Sequence, residues 1–190
     1  MMHEGPLTAH SGIAENFVAL VSSLSGELQE LCLFHSQHLM HSDVVVRHVE
    51  SESATEKHRY VTFFTKGWRV RSSLARQLSQ LAALLDSDLV CEYVLPHAFH
   101  LCEDSVAHVR LEAAGQLVEI MEVQQQTQSS LILAQLKKWH KSTNFKTRCI
   151  AAVICRKTQH KALPTGLKDD IDQIIQKLKL DSVADVRRLL

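Results

Sequence analysis

Residues 104–110 read Asp-Ser-Val-Ala-His-Val-Arg, and residues 181–187 read Asp-Ser-Val-Ala-Asp-Val-Arg. Two other segments share the second half of this pattern without gaps, at residues 68–75 and 145–152. The arginines of the four copies are separated by 39, 38 and 39 residues: Arg71, Arg110, Arg148 and Arg187. A similarity that keeps its phase over three intervals indicates an internal repeat.

A repeat of about forty residues with this core is typical of HEAT repeats, in which each unit is a pair of antiparallel helices. Glycine (6) and proline (3) are scarce and aromatic residues make up only 5% of the chain, so helices are favoured over strands. Each pair has apolar residues on more than one face and must bury them against its neighbours. The sequence therefore predicts an all-α fold, a HEAT-repeat α-solenoid of stacked antiparallel helix pairs.

The repeats do not fill the chain evenly. We expect an irregular N-terminal helical segment over residues 1–50, followed by HEAT repeats over residues 51–190. The predicted units are about 51–86, 87–124, 125–162 and 163–190. The last unit stops three residues after Arg187, so we expect it to be truncated and to lack its second helix. The chain is then a fragment, a truncated isoform, or a protein whose end is capped by something else.

Apolar spacing predicts the two helices of one unit. An outer helix, which Pro96 is expected to bend or open locally, carries Leu89, Val90, Tyr93, Val94, His97, Ala98 and Leu101. Asp104 or Ser105 is expected to cap an inner helix with the apolar stripe Val106, Val109, Ala113, Ala114, Leu117, Val118 and Met121. The next unit repeats this pattern with Leu131, Ile132, Ala134, Leu136 and Trp139, then Ile150, Ala151, Val153 and Ile154. The preceding unit is read from Thr55 to Thr65, then at Val70, Leu74, Leu78, Leu81 and Leu84.

Composition narrows the class of protein. Lys+Arg and Asp+Glu are equal at 21 each, so no net field would draw the whole molecule onto nucleic acid or an anionic membrane. Five cysteines, none in Cys-x-x-Cys spacing, favour buried thiols over a disulfide framework or a zinc knuckle. The first residues lack the pattern of a signal peptide, and no apolar run is long enough to span a membrane. We therefore expect a cytoplasmic or nuclear protein.

A family resemblance rests on residues 67–78 and 93–106. The first stretch reads Gly-Trp-Arg-Val-Arg followed by Leu-Ala-Arg-Gln-Leu, and the second contains Tyr-Val-Leu-Pro and His-Leu-Cys-Glu-Asp-Ser-Val. In these motifs the chain resembles the HEAT repeats of regulatory subunit 1 of protein phosphatase 4 over residues 55–122. It is similar, more distantly, to the scaffold subunit of protein phosphatase 2A. The resemblance implies a regulatory scaffold that binds a serine/threonine phosphatase catalytic subunit and directs it to substrates.

The repeated arginines have two readings. In one interpretation they form a row of positive charges that binds an anionic partner. In the other they are structural and pair with Asp104 or Asp181 and with turn carbonyls. We favour the structural role. Trp68 and Phe145 share one position of the repeat, and we favour packing over interface contact for both.

Contacts with a partner protein are predicted at the turns within repeats and on the inner helices, where a solenoid exposes side chains without disturbing its stack. The predicted partner-binding residues are Lys66, Gly67, Trp68, Arg69, Glu103, His108, Thr143, Asn144 and Lys146. The alternative is a HEAT-type adaptor or transport solenoid that binds peptide signals, unrelated to phosphatases. That function would be supported by a run of Asn and Trp on the inner face, which the sequence lacks.

Other chemistry has little support in the sequence. His35, His38 and His41, with Cys32 before them, would place a metal on one helix, but successive three-residue steps rotate around the axis, so a solvated polar face is preferred. Lys137, Lys138, Trp139, His140 and Lys141 form a basic stretch that we interpret as ordinary surface, with a nucleic-acid or acidic-peptide patch as the minor alternative. No nucleotide-binding, hydrolase or metalloprotease motif is present. We expect no enzyme activity, no cofactor and no bound metal.

Overall fold

The computed structural model of the chain describes residues 15–24, 26, 29, 67–123 and 126–190. These residues form helices joined by short turns, with no strand among them. They belong to two compact units, residues 1–77 and 78–190, which are taken separately below. The all-α prediction is therefore confirmed for the part of the chain that is described. The outer helix predicted at Thr55–Thr65 and most of the segment 1–50 lie outside the described residues.

Ten α-helices and one π-helical segment are described. The α-helices are α1 (Phe17–Ser22), α2 (Trp68–Ala75), α3 (Leu78–Leu84), α4 (Ser87–Leu89), α5 (Leu95–Leu101), α6 (Ala107–Val123), α7 (Gln126–Trp139), α8 (Phe145–Thr158), α9 (Thr165–Lys179) and α10 (Ala184–Arg188). The π-helical segment, Val90–Val94, connects α4 to α5.

In the first unit, α1 and the end of α2 are joined by one glutamine. Phe17 and Val21, four residues apart on α1, are 2% and 0% exposed. The backbone N–H of Val18 donates to Gln77 Oε1 at 3.2 Å, and Gln77 Nε2 donates to the Ser73 carbonyl at 2.9 Å. The side chain of Gln77 therefore serves both segments.

In the second unit, the helices contact one another in two rows. Helices α3, α6, α8 and α10 contact one another in succession and are called the inner row below. Helices α5, α7 and α9 also contact one another in succession and form the outer row. Each outer helix contacts the inner helix that follows it in the chain, since α5 packs on α6, α7 on α8 and α9 on α10.

The outer helix around Pro96 shows the predicted local opening. The π-helical segment Val90–Val94 ends just before the turn that contains Pro96. Because proline has no backbone N–H and its ring crowds the preceding turn, a wider turn at this point relieves the clash. Val90, Val94 and Ala98 are still buried, so the opening does not take the apolar face out of the core.

Helix α6 is the centre of the apolar core of the second unit. It contacts α3, α5, α7 and α8, so its side chains are covered from several directions. All but one residue of the predicted stripe is buried, and Ile120 joins it: Val109, Ala113, Ala114, Leu117, Val118, Ile120 and Met121. Val106 lies just before the helix and is half-buried. The stripe predicted for α6 is therefore correct in its main part.

The apolar face predicted for α7 is partly wrong. Ile132, Leu136 and Trp139 are buried as predicted, but Leu131 is 42% exposed and Ala134 is also exposed. The buried face continues instead through two polar residues at helical spacing, Gln128 and Ser129. Gln128 Nε2 donates to Ser87 Oγ at 2.8 Å, and Ser129 Oγ donates to the Met121 carbonyl at 3.3 Å. These bonds satisfy the donor groups of both side chains, whereas Gln128 Oε1 is buried without a hydrogen-bond partner among the described residues.

We expect Leu117→Ala to lower the free energy of unfolding by about 2–5 kcal/mol, because truncating a fully buried leucine removes its contacts and leaves a cavity. Leu117 is 0% exposed. Leu111→Ala is the matched control, since Leu111 lies on the same helix and is 47% exposed. Urea unfolding followed by circular dichroism gives both values. Equal losses for the two variants would contradict the described burial of α6.

Candidate functional site

The turn between α9 and α10 carries a two-pronged ion pair. Arg148, in the first turn of α8, donates from Nε to Asp181 Oδ2 at 2.6 Å and from Nη2 to Asp181 Oδ1 at 3.1 Å. The two side chains are only 13% and 8% exposed. The hydrogen bonds from Arg148 hold the pKa of the Asp181 carboxyl below its ordinary value of 3.8. A bidentate, largely buried pair of this kind fixes the position of both groups.

Arg148 and two other arginines of the repeat, Arg110 and Arg187, also bind backbone carbonyls in the turns. Arg148 Nη1 donates to the carbonyls of Ser142 and Thr143 at 2.8 and 3.2 Å. Arg110 Nη1 donates to the carbonyls of Asp104 and Ser105 at 2.7 and 3.0 Å. Arg187 Nη1 donates to the Asp181 carbonyl. These contacts agree with the structural role predicted for the arginines. Arg71, in the first unit, is buried.

Three turns use one side-chain position in the same way. Asp104, Ser142 and Asp181 are separated by 38 and 39 residues. Each accepts a hydrogen bond from the backbone N–H two residues later: Val106 to Asp104 Oδ1 at 2.8 Å, Asn144 to Ser142 Oγ at 3.2 Å, and Val183 to Asp181 Oδ1 at 2.8 Å. Each of these bonds therefore closes a short Asx- or Ser/Thr-type turn ahead of the helix. Asp104, one of the two residues predicted to cap α6, binds the N–H of Val106, which precedes the helix, and not an N–H of its first turn.

Of the predicted partner-binding residues in the first unit, Gly67, Trp68 and Arg69 are described and Lys66 is not. Gly67 precedes α2, and Trp68 is half-buried in its first turn. The Arg69 guanidinium lies 4.8 Å from the centre of the Trp68 ring, within the range of a cation–π interaction. Part of the Trp68 side chain is therefore accessible. Packing was also predicted for Phe145, but Phe145 is 40% exposed, so that prediction is wrong for it.

In the second unit, Glu103 and His108 lie on either side of the turn between α5 and α6. Both residues are exposed. Glu103 Oε1 accepts a hydrogen bond from Trp139 Nε1 at 2.8 Å, and His108 Nε2 lies 3.5 Å from Glu112 Oε1. The Trp139 ring is 3% exposed, so Glu103 supplies the partner that a buried indole N–H requires.

Thr143, Asn144 and Lys146 lie at the next turn, between α7 and α8. All three are exposed. Asn144 Oδ1 accepts from the Lys146 backbone N–H at 3.0 Å and caps α8. The structure therefore places five of the predicted contact residues at two turns of the second unit, and there Asn144 and Glu103 also have structural bonds.

A small cleft lies between the end of α8 and the start of α9. Its volume is about 200 Å³ and it is lined by Thr158, Gln159, Leu163, Lys168, Ile171 and Asp172. Lys168 and Asp172 are its charged residues. This cleft was not predicted from the sequence, because its lining comes from two helices whose relative position depends on packing.

Among the described residues, no group of three or more His, Cys, Asp and Glu side chains could hold a metal ion. Cys32 and the histidine series from His35 to His41 lie outside the described residues. Burial raises the pKa of the Cys102 thiol, and it raises the pKa of Cys155 to about 12. Both are free thiols buried in the second unit. Protonated thiols of this kind are poor nucleophiles and poor metal ligands.

Two sets of charged residues were not predicted as sites. Lys161 Nζ bridges Glu119 and Glu122 of α6, which ties the turn after α8 to the inner row. Lys138, part of the basic stretch noted in the sequence, and Lys177 are exposed residues of α7 and α9, one repeat of 39 residues apart. The pairing of Lys138 with Lys177 could have been predicted by applying the repeat spacing to positions other than the arginines.

None of the described helices is both long enough and apolar enough to cross a membrane. No protein-family model matches the chain, and no curated protein matches it either. The fold, the turn contacts and the sequence motifs are therefore the basis for proposing a function.

We expect Asp181→Asn to lower the free energy of unfolding near neutral pH by about 1–3 kcal/mol, since it removes the charge that Arg148 binds. The folded pKa of this carboxyl is depressed, so its stabilisation is present above the unfolded pKa and is lost as the pH falls through the folded value. The difference from the unmodified protein should therefore shrink below about pH 4. Asp185→Asn is the control, because Asp185 and its partner Arg188 are 66% and 78% exposed. A constant difference down to acid pH would contradict the ionic role of Asp181.

Ser142→Asp tests whether the turns are equivalent. Ser142 corresponds to Asp181 in the repeat, and Arg110 corresponds to Arg148. An aspartate at 142 should give Arg110 the carboxylate partner that Arg148 already has, and should raise the melting temperature by a few degrees. In the Arg110→Gln background the same change should give no increase. A rise of equal size in both backgrounds would contradict the pairing.

Proposed function

We propose that the chain is a non-catalytic HEAT-repeat scaffold of the cytoplasm or nucleus. In this proposal it is a regulatory subunit that binds the catalytic subunit of a serine/threonine phosphatase and directs it to substrates. The phosphatase is one similar to protein phosphatase 4. The observation that carries the scaffold part is the recurrence of one turn structure at Asp104, Ser142 and Asp181, in phase with the arginines.

The two rows of helices support stacked repeats. Each pair, α5 with α6, α7 with α8 and α9 with α10, contacts the next pair through both rows. The link from Arg148 to Asp181 runs from one pair to the next at the turns. Such an arrangement shares one core among neighbouring units and leaves the turns and the exposed helix faces for partners.

The phosphatase part is supported by the resemblance in residues 67–78 and 93–106. Trp68 and Arg69 lie in the first of these stretches, and both have exposed or half-exposed side chains. A tryptophan with an accessible face beside an arginine has the composition typical of binding hot spots. The proposed contact with the catalytic subunit therefore includes Trp68 and Arg69.

The test is an affinity purification from cell lysate with the tagged chain, read by mass spectrometry and repeated with purified protein phosphatase 4 catalytic subunit. We expect the catalytic subunit to be recovered. Trp68→Ala with Arg69→Ala should reduce the recovered amount by at least about tenfold, because loss of a hot-spot pair costs about 2 kcal/mol or more.

The matched control is Leu131→Ala with Arg156→Ala, which also removes one large apolar and one arginine side chain from exposed positions. This control should recover as much phosphatase as the unmodified chain. Circular dichroism establishes that each variant is folded. A folded, helical chain that recovers no phosphatase catalytic subunit would refute the phosphatase part of the proposal.

A further inference from the structure

The helices of the outer row carry acidic residues early and basic residues late. The acidic residues lie in the first part of α9 and in the two segments that precede α5: Asp169, Asp170 and Asp172, and Asp86, Asp88 and Glu92. Basic residues lie in the last part of the outer helices: His100, Lys137, Lys138, Lys177 and Lys179. This distribution matches the helix dipole, which favours cations near a C-terminus. The C-terminal ends of α5, α7 and α9 therefore present basic side chains.

Three of these residues occupy the same position in successive repeats. His100, Lys138 and Lys177 each stand ten residues before a motif arginine, and all three are exposed. Because α5, α7 and α9 contact one another in succession, the three side chains project from adjacent helices. Packed helices lie about 8–10 Å apart, so the three positions form a row with that spacing.

The lysines of this row are available for a partner. Lys137 is paired with Asp170 at 3.0 Å, but among the described residues Lys138 and Lys177 have no carboxylate within 4.0 Å. The acidic side chains at the adjoining turns have structural bonds, since Glu103 accepts from Trp139 and Asp181 binds Arg148. Glu103 still carries an exposed carboxylate, so the positive charge without an ion pair lies on Lys138 and Lys177.

His140 indicates that the charges of α7 and α9 share one region. Burial lowers the pKa of its imidazole, while its hydrogen bond with the Leu136 carbonyl opposes this change. The positive charges of Lys177 and Lys141 lower the pKa further. Lys177 belongs to α9, so its ammonium group lies close enough to the end of α7 to act on His140.

We propose that the basic edge, defined as His100, Lys138, Lys141, Lys177 and Lys179, binds an extended acidic segment of a partner protein. A chain in the polyproline II conformation has three residues per turn and advances about 3.1 Å per residue, so carboxylates at every third residue lie on one face about 9 Å apart. That spacing matches the distance between neighbouring outer helices. The inference rests on the stacked repeats of the proposed function and does not depend on any phosphatase.

Nucleic acid fits this edge less well. Binding of single strands uses aromatic side chains on which bases stack, in addition to positive charge. Trp139 is 3% exposed and its ring nitrogen is bonded to Glu103, and Phe99 packs edge-on against the Trp139 ring. Phe145, 40% exposed, begins a helix of the inner row. Lysines on adjacent helices without a series of exposed rings favour spaced carboxylates.

The experiment uses fluorescence anisotropy of the full chain with two labelled peptides of about fifteen residues and identical composition. One peptide carries glutamate at every third residue, and the other carries the same glutamates in one cluster. We expect tighter binding of the spaced peptide and weaker binding as salt is raised. Lys138→Gln with Lys177→Gln should weaken binding of the spaced peptide roughly fivefold, as expected for two exposed ion pairs.

Arg156→Gln with Lys157→Gln is the charge-matched control, because both residues are exposed at the end of α8 in the inner row. Its affinity for the spaced peptide should equal that of the unmodified chain. Equal weakening by the two double variants, or equal affinity for the two peptides, would overturn the proposal. Tighter binding of a labelled oligonucleotide that is lost in Lys138→Gln with Lys177→Gln would overturn it in favour of nucleic acid. No phosphatase is present, so this result is independent of the affinity purification, and melting curves verify that each variant is folded.

Discussion

The second unit depends on the sharing of apolar surface between helices. Helix α6 buries seven apolar side chains and contacts α3, α5, α7 and α8, so no single partner helix covers it. Because burial of each large apolar side chain contributes about 1.5–3 kcal/mol, the stability of one helix pair depends on the presence of its neighbours. Helices that share a core in this way leave side chains at the turns accessible to solvent. These accessible side chains are the physical basis of the scaffold that we propose.

The turns determine how one pair is aligned with the next. Arg148 binds the carbonyls of its own turn and the carboxylate of Asp181, 33 residues later in the sequence, so one guanidinium joins two successive turns. Guanidinium suits this role because it is always charged and its donors form a rigid fork. At the preceding turn Ser142 takes the place of an aspartate, and within the described part of the chain Arg110 binds carbonyls only. The two junctions therefore share their geometry but differ in electrostatic support.

Helix direction gives the outer row its charge distribution. Lysines are favoured near helix C-termini because of the dipole, and α7 and α9, which pack against each other, both end in lysines. A residue that stabilises its own helix thus also becomes part of a row across several helices. Glu103 likewise has two roles, because its carboxylate is exposed and also accepts the hydrogen bond of the buried indole N–H of Trp139. At these turns, structural bonds and accessible side chains occur in the same residues.

The sequence by itself determined the helical class, the phase of the arginines, the local opening near Pro96 and most of the apolar face of α6. These features depend on spacing within one helix or on a residue's own backbone chemistry, so they are visible in a single chain. Which face of α7 is buried was decided only in the tertiary structure. Leu131 and Ala134 are exposed while Gln128 is buried, because the Ser87 hydroxyl, 41 residues away, accepts a bond from its amide. The partners of Trp139 and Arg148 likewise come from distant turns, and no local pattern specifies a contact that forms only when the helices pack.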